Sequence, residues 1–371
     1  MGLVISAILF AICMAKKKSK VVFIITGIWV WVLMAFSSGL ADEGIYIGRY
    51  QNYKAFTGMT EPGYTLLMEG FNRLGVPYDI YKIFITAFEL VLILSTIACL
   101  TEFKNFVLAL YMVFPLCMDA VQMRFTLGLS FTIFGFRFLS DKYVDEHKKH
   151  RVPADICYVI CILIATMFHS INVLYLILLV AKKVKRKNII IVVIAAILLF
   201  TVVLNRTELI HIGTAIGVGS KINDALANTT NMSGHAVLHY ATEMIIRFAL
   251  FITVYLIAHY GVHKKNRGML SDDCGVNANI MVLSIIALLQ YSIEFYRIQV
   301  GLSIFNYIFL SGYLVNTTKK SGKFVMNKSN VAVCLSAVIM AVINLYNLVL
   351  NNTNINTVFT PFFFNNSLLG G

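Results

Sequence analysis

The chain has 371 residues, of which 58% are hydrophobic and 13% charged, whereas soluble domains use roughly 45–50% apolar residues. That balance excludes an ordinary water-soluble domain. The net charge of +13 would suit a nucleic-acid partner, but the cations sit in short clusters between apolar runs and build no continuous basic face. They therefore read as charges that set membrane orientation, and no nucleic-acid partner is expected.

Apolar runs occur at 2–15, 21–40, 80–100, 105–119, 125–140, 155–169, 170–182, 188–204, 241–261, 279–295, 299–315 and 329–348. Each closes on charged or Asn/Gly-rich residues, the pattern of a polytopic α-helical membrane protein, because only internally hydrogen-bonded helices satisfy a backbone in hydrocarbon. Every second junction is basic: 16–20, Lys104, 142–151, 182–187, 263–267 and 319–328. The positive-inside rule places these in the cytoplasm. The expected fold is thus all-α, with about twelve transmembrane helices and both termini outside. The first run resembles a signal-peptide core but has no basic n-region and no small-residue cleavage site, so it reads as an uncleaved helix. No linker or repeat divides the chain, which reads as one integral membrane domain over residues 1–371.

Two junctions expected on the outer side are long, 41–79 and 205–240. Long loops in a compact domain carry function or are disordered. In the first, Pro62 after Glu61 suits the start of a helix. Leu66, Leu67, Phe71 and Leu74 then share a face, predicting an interfacial amphipathic helix or one packed on the bundle. In the second, Arg206 to Gly219 is apolar enough to dip into the bilayer, and its glycines let backbone N–H groups approach an anion.

The outer rim collects the candidate functional residues: Asp42, Glu43, Arg49, Arg124, His169, Arg206, His211 and Arg297. An ionisable group beside a hydrophobic run is expensive unless paired, hydrated or bound to a ligand. Asp42-Glu43 reads as a base, a metal-ligand pair or a sugar-hydroxyl acceptor, and equally as a helix-end cap. Arg124 has Asp119 and Gln122 nearby in sequence, and Arg297 has Glu294 and Gln299, so a structural ion pair is the competing reading for each. His169 is capped by Ser170 and Asn172; it reads as a base or as a hydrogen-bonded core histidine. His235 and His239 have metal-chelating spacing without an intervening glutamate. Cys157 and Cys161 share a helical face, but no further Cys or His completes a set. No metal and no cofactor are expected. Arginines from separate loops suit a phosphate, whose oxygens the planar guanidinium grips in a fork.

Asp42-x-x-x-Tyr46-x-x-x-Tyr50, then Glu61-Pro62-Gly63-Tyr64, Arg124 heading a hydrophobic run, His169-Ser170 and Arg297 before a tyrosine-bearing run together resemble the EpsG family. These are Wzy-type polymerases of bacterial exopolysaccharide, capsule and O-antigen. The tail Thr360-Pro361-Phe362 resembles the family's late Pro-aromatic segment. Where an arginine usually precedes the aspartate, Ser37-Ser38-Gly39 stand here, with Arg49 as a substitute. Arg124 to Gly135 and Arg206 to Gly217 also resemble the Arg-x10-Gly spacing of O-antigen polymerase loops.

The resemblance implies a multi-pass enzyme of the bacterial cytoplasmic (inner) membrane, with its active site on the outer face. It would transfer a growing glycan from one undecaprenyl-diphosphate-linked oligosaccharide to the non-reducing-end hydroxyl of another, working beside a flippase and a chain-length regulator. Arg124, Arg297 and Arg206 would hold the diphosphate, and Asp42 or His169 would be the catalytic base. Tyr46, Arg49, Glu61 and Tyr64 would line the glycan and lipid groove. Three alternatives stay open: a polyprenyl-phosphate-sugar glycosyltransferase of the GT-C type, which also places an acidic pair in its first outer loop; a lipid-linked oligosaccharide flippase; and a membrane O-acetyltransferase.

Overall fold

The computed structural model describes residues 1–56, 61–146, 153–199, 234–260, 270–286, 288, 293–314, 328–350 and 354–370. These are almost wholly helical, with one isolated bridge between Ser37 and Asn366. In chain order the helices are α1 (Gly2–Ala15), α2 (Lys20–Phe36), α3 (Glu43–Gln51), α4 (Pro62–Arg73), α5 (Tyr78–Leu100), α6 (Lys104–Val113), α7 (Leu116–Val121), α8 (Met123–Leu139), α9 (Asp141–Glu146) and α10 (Ala154–Phe168). There follow α11 (Leu176–Lys183), α12 (Arg186–Leu198), α13 (Gly234–Tyr260), α14 (Asp272–Ile286), α15 (Ile298–Ser311), α16 (Lys328–Leu348) and α17 (Thr360–Phe364). Within the described residues the apolar runs are therefore largely helical, as a backbone without water partners requires.

By length and hydropathy, three stretches can cross a bilayer: Tyr78–Leu100, Thr242–Tyr260 and Asn330–Leu348. Several other apolar helices are shorter, Gly2–Ala15, Lys20–Phe36 and Ala154–Phe168 among them. The expected run 105–119 is broken: α6 ends at Val113 and the short α7 begins after Pro115.

Contacts divide the chain into two compact units, one formed by Met1–Tyr175, Gly261–Ser271 and Ser303–Gly371, the other by Leu176–Tyr260 and Asp272–Leu302. In the second unit α14 packs against α11, α12 and α13. Arg186 bonds Asp273 at 2.6 Å there, and Asn277 bonds the carbonyls of Ala181 and Val184. Inside α13, Arg247 is buried with Glu243 and the Tyr296 hydroxyl at 3.1 and 2.9 Å.

In the first unit, α8 packs between α5 and α10. Gly128 makes this closeness possible: a Cβ there would stand 2.3 Å from Asn172 Nδ2 and 2.7 Å from the Ala165 carbonyl. Small residues let membrane helices approach in this way. The unit's polar groups gather at two opposite ends. At the start of α2, Asn105 N bonds the Lys17 carbonyl, Lys18 bonds Glu102 at 2.6 Å, and Lys17 Nζ reaches Cys334 Sγ at 3.3 Å. Two of the basic junctions, 16–20 and Lys104, thus meet at one end, beside the early turns of α16. At the other end of α2, the C-terminal segment is tied in: Ser38 N bonds the Asn365 carbonyl, Ala41 N that of Thr357, and Ser367 N that of Phe36. α5 runs between the two ends over 23 residues, about 35 Å at the helical rise of ~1.5 Å per residue. That is the thickness of a bilayer's apolar core.

Candidate functional site

At the end away from the lysines, α3 and α4 cover the beginnings of α5 and α8 and the end of α10. Tyr46 and Tyr50 are one turn apart, so both face inward from α3. They join Tyr64, Met68, Tyr78, Tyr81, Ile85, Met123 and Leu127 in one buried cluster. The Tyr50 hydroxyl donates to the Val76 carbonyl at 2.6 Å, and Asn72 Nδ2 donates to the Tyr50 carbonyl at 2.9 Å. The Tyr46 and Tyr64 rings meet edge to face at 6.2 Å. α4 begins at Pro62 as expected, but its inner face is Tyr64, Leu67, Met68 and Phe71. Leu66 and Leu74 are 62% and 80% exposed, so the predicted apolar stripe is split between the core and the outside.

Each residue of Glu61-Pro62-Gly63-Tyr64 has a distinct task. Pro62 opens α4, where a missing N–H is harmless, and Glu61 is its N-cap. A Cβ on Gly63 would stand 3.0 Å from Met167 Cβ and 3.1 Å from its carbonyl. Gly63 therefore sets α4 against the end of α10, two residues before His169. Tyr64 anchors the turn, its hydroxyl facing Met123 Sδ at 3.9 Å. We expect Gly63→Val to displace Glu61 from its partners and lower polymer yield by at least about tenfold. An unchanged yield in glycan blots of a strain carrying the variant would contradict this account of the glycine.

Arg124 lies in the first turn of α8, and its Nη1 donates to Glu61 Oε2 at 2.5 Å. The Glu61 and Arg124 side chains are 11% and 25% exposed. The other Glu61 oxygen, Oε1, lies 3.9 Å from His169 Nε2. Arg124 Nε is buried with no hydrogen-bond partner among the described residues. Tyr46 also hydrogen-bonds Arg124. Burial raises the Tyr46 phenol above its ordinary range, with Arg124 opposing. Arg49, from the last turn of α3, shares this neighbourhood. Burial and then the like charge of Arg124 pull its guanidinium below the usual range, with Tyr46, Glu61 and Tyr64 opposing. Two guanidiniums thus gather around one paired carboxylate, and Asp42 stands a helical turn from Tyr46 at the start of α3.

His169 ends α10 in extended conformation. Its ring meets Phe125 edge to face at 5.6 Å, and its Nδ1 accepts from Ile171 N at 3.4 Å. The His169 carbonyl caps the following turn by accepting from Asn172 N and Nδ2, both at 3.1 Å.

Six of the candidates read from the sequence therefore meet in the first unit: Tyr46, Arg49, Glu61, Tyr64, Arg124 and His169. Two expectations need correction. Asp119 does not pair with Arg124: its Oδ2 accepts from the Tyr111 hydroxyl at 2.7 Å, and its carbonyl from Thr126 Oγ1. Asp42 and Glu43 do not face the site as a pair: Glu43 turns away to Lys82 Nζ at 2.8 Å and Gly39 N at 2.6 Å. Charges also lie inside the helices: Lys82, Glu89, Arg137 and Arg247 are all buried. Arg137 bonds Thr96 at 3.1 Å and Ser95 at 2.6 Å, while neither Glu89 oxygen has a hydrogen-bond partner among the described residues. The sequence signal for these was simply a charge inside an apolar run. Arg297 is half-buried in the second unit, beside Tyr296. Arg206 and His211 lie outside the described residues, as do the side chains of His235 and His239. Among the described residues no group of three or more His, Cys, Asp or Glu could hold a metal.

Fold and site define a helical membrane protein with a cation-rich polar site at one end of its apolar helices. The chain belongs to the EpsG family, whose model matches residues 20–363, a family of Wzy-type polysaccharide polymerases. That span contains every residue of the site and the Thr360-Pro361-Phe362 segment. Comparison with curated proteins and with solved structures returns no match.

Proposed function

We propose that the protein joins polyprenyl-diphosphate-linked oligosaccharide repeat units into a surface polysaccharide at the outer face of the cytoplasmic membrane. Family membership supports polysaccharide polymerisation in general. The observation that carries the finer reading is Arg124, with Arg49 beside it, held at the end of the helices opposite the clustered lysines. With the lysines inside, that end faces outward. An arginine in the first turn of α8 adds its charge to the positive end of the helix dipole, and both favour a diphosphate leaving group. Arg297 and Arg206 are the further candidates for holding it. The exposed Leu66 and Leu74 of α4 suit an apolar groove for the polyprenyl chain, whereas Tyr46 and Tyr64, read from the sequence as groove residues, are buried and brace α3 and α4 from the core. The acceptor hydroxyl must lose a proton as the new glycosidic bond forms, and Asp42 and His169 are the base candidates read from the sequence.

Glycan analysis of a deletion strain tests the reading. Carriers bearing a single repeat unit should accumulate on the outer leaflet while long polymer disappears. Retention of every unit on the inner leaflet would instead indicate a flippase. The GT-C alternative rested on an acidic pair that the fold separates, since Glu43 is committed to Lys82.

A further inference from the structure

The geometry points to Glu61 as a substrate-displaced counter-ion: it occupies the anion site until a lipid diphosphate takes Arg124, and the freed carboxylate then accepts the proton of the incoming sugar hydroxyl. This rests on the diphosphate reading above and assigns within it a role that Asp42 or His169 would otherwise hold.

Three observations carry the inference. Glu61 Oε2 fills one edge of the Arg124 fork at 2.5 Å, while Arg124 Nε is buried without a partner among the described residues. A diphosphate that grips the guanidinium through Nη1 must displace the carboxylate, whereas Nε opens on the other edge of the plane. Second, the carboxylate has somewhere to turn. His169 Nδ1 accepts the Ile171 N–H, so a neutral imidazole carries its proton on Nε2. Nε2 faces Glu61 Oε1 from 3.9 Å, a gap that a small rotation closes into a hydrogen bond. Both ring nitrogens are then engaged, which makes His169 a positioning residue for Glu61. Third, apart from Arg124 and the facing His169, Glu61 is held through its backbone among the described residues. Glu61 caps α4, its carbonyl accepting from Thr65 Oγ1 and N at 3.2 Å, while Gly63 packs on Met167. The side chain can turn with its Cα fixed.

The step balances without a further reactant. The acceptor oxygen forms its bond to the anomeric carbon and passes its proton to Glu61. The bond from that carbon to the diphosphate breaks, and the lipid diphosphate leaves with the electron pair, held by Arg124. The departing diphosphate or water takes the proton from Glu61, and the Glu61–Arg124 pair re-forms on release.

The test measures binding of farnesyl diphosphate and of inorganic diphosphate to the purified full chain in nanodiscs, alongside transfer with lipid-linked repeat units. Wild type should bind the lipid diphosphate. Glu61→Gln should bind it about tenfold more tightly, because no counter-ion competes, while transfer falls at least about a hundredfold. No binding by wild type would sink the diphosphate reading itself. Binding by wild type but weaker binding by Glu61→Gln would leave that reading intact and overturn the displacement, showing Glu61 as a scaffold for Arg124. Retained transfer in Glu61→Gln would overturn the base. Should Glu61→Gln fail to fold, Glu61→Asp serves, since its shorter carboxylate should still support transfer; complete loss in folded Glu61→Asp argues against the base. The double variant Asp42→Asn, His169→Gln should lose about tenfold, well short of the loss in Glu61→Gln, because the glutamine amide still donates to Glu61. His169→Ala should fall at least tenfold below His169→Gln. Abolished transfer in the double variant would return the base to Asp42 or His169. Preference for inorganic over farnesyl diphosphate would mark the site as one for free anions and overturn the lipid assignment.

Discussion

Arg124→Lys is expected to abolish long polymer, lowering transfer at least about a hundredfold while the protein still inserts and folds. The substitution keeps a positive charge but replaces a rigid planar fork with a point charge. Arg124 holds Glu61 through Nη1, while its Nε is buried without a hydrogen-bond partner among the described residues, so its donors have fixed directions that an ammonium cannot reproduce. Loss of one preorganised donor to a developing negative charge costs about 3 kcal/mol, roughly a hundredfold in rate. Gel profiles of surface polysaccharide together with extracted lipid carriers give the readout. Short or absent chains with accumulated single-unit carriers are the expected result. Normal chain length and yield in the lysine variant would remove Arg124 from the chemistry and leave it a structural cation.

The second large effect is on stability. Lys82 lies on α5 below the loop that delivers Asp42, with its side chain only 6% exposed. Its ammonium donates to the Ser37 carbonyl and to Glu43 Oε1, while Glu43 Oε2 receives the Gly39 N–H. Gly39 has φ of +74°, a backbone conformation that glycine adopts without strain. Three elements are thus tied at one point. Lys82→Met should destabilise the protein by about 2 kcal/mol, because the largely enclosed Glu43 carboxylate loses its cation and keeps only the Gly39 N–H. Adding Glu43→Gln should recover part of that loss, since removing both charges costs less than stranding one. Thermal unfolding in detergent measures both. A single variant no less stable than the double would show that the pair does not hold the loop. Loss of activity should accompany loss of stability in Lys82→Met, because Asp42 and Tyr46 follow directly from this anchor.

The two arginine–carboxylate and lysine–carboxylate pairs show how differently parts of the site could be read. Glu61 and Arg124 stood out separately, one beside Pro62-Gly63 and the other at the head of an apolar run. Their partnership crosses 63 positions of chain, and the nearer Asp119 was the obvious partner by sequence distance. Asp119 instead satisfies Tyr111 from the neighbouring α6, because the break after Val113 turns α7 back toward it. Adjacent Asp42 and Glu43 looked like one functional pair, yet successive helical residues point about 100° apart. Only Glu43 could reach Lys82, and nothing in the run 80–100 marked that lysine as its partner.

What the sequence by itself determined is local and repetitive. Long apolar runs must be helices where no water can satisfy the backbone, Pro62 must start one, and clustered lysines must stay together on one side. Tyr46 and Tyr50, one turn apart, had to share a face. The tertiary structure decided which charge meets which. Gly63 against Met167 brings Glu61 to His169, and Gly128 against Asn172 brings α8 to α10. Those close approaches place Arg124 over Glu61 and Arg49 beside it. Pairing of buried charges depends on angstrom-scale distance and on burial, and both arise only when helices far apart in sequence pack together.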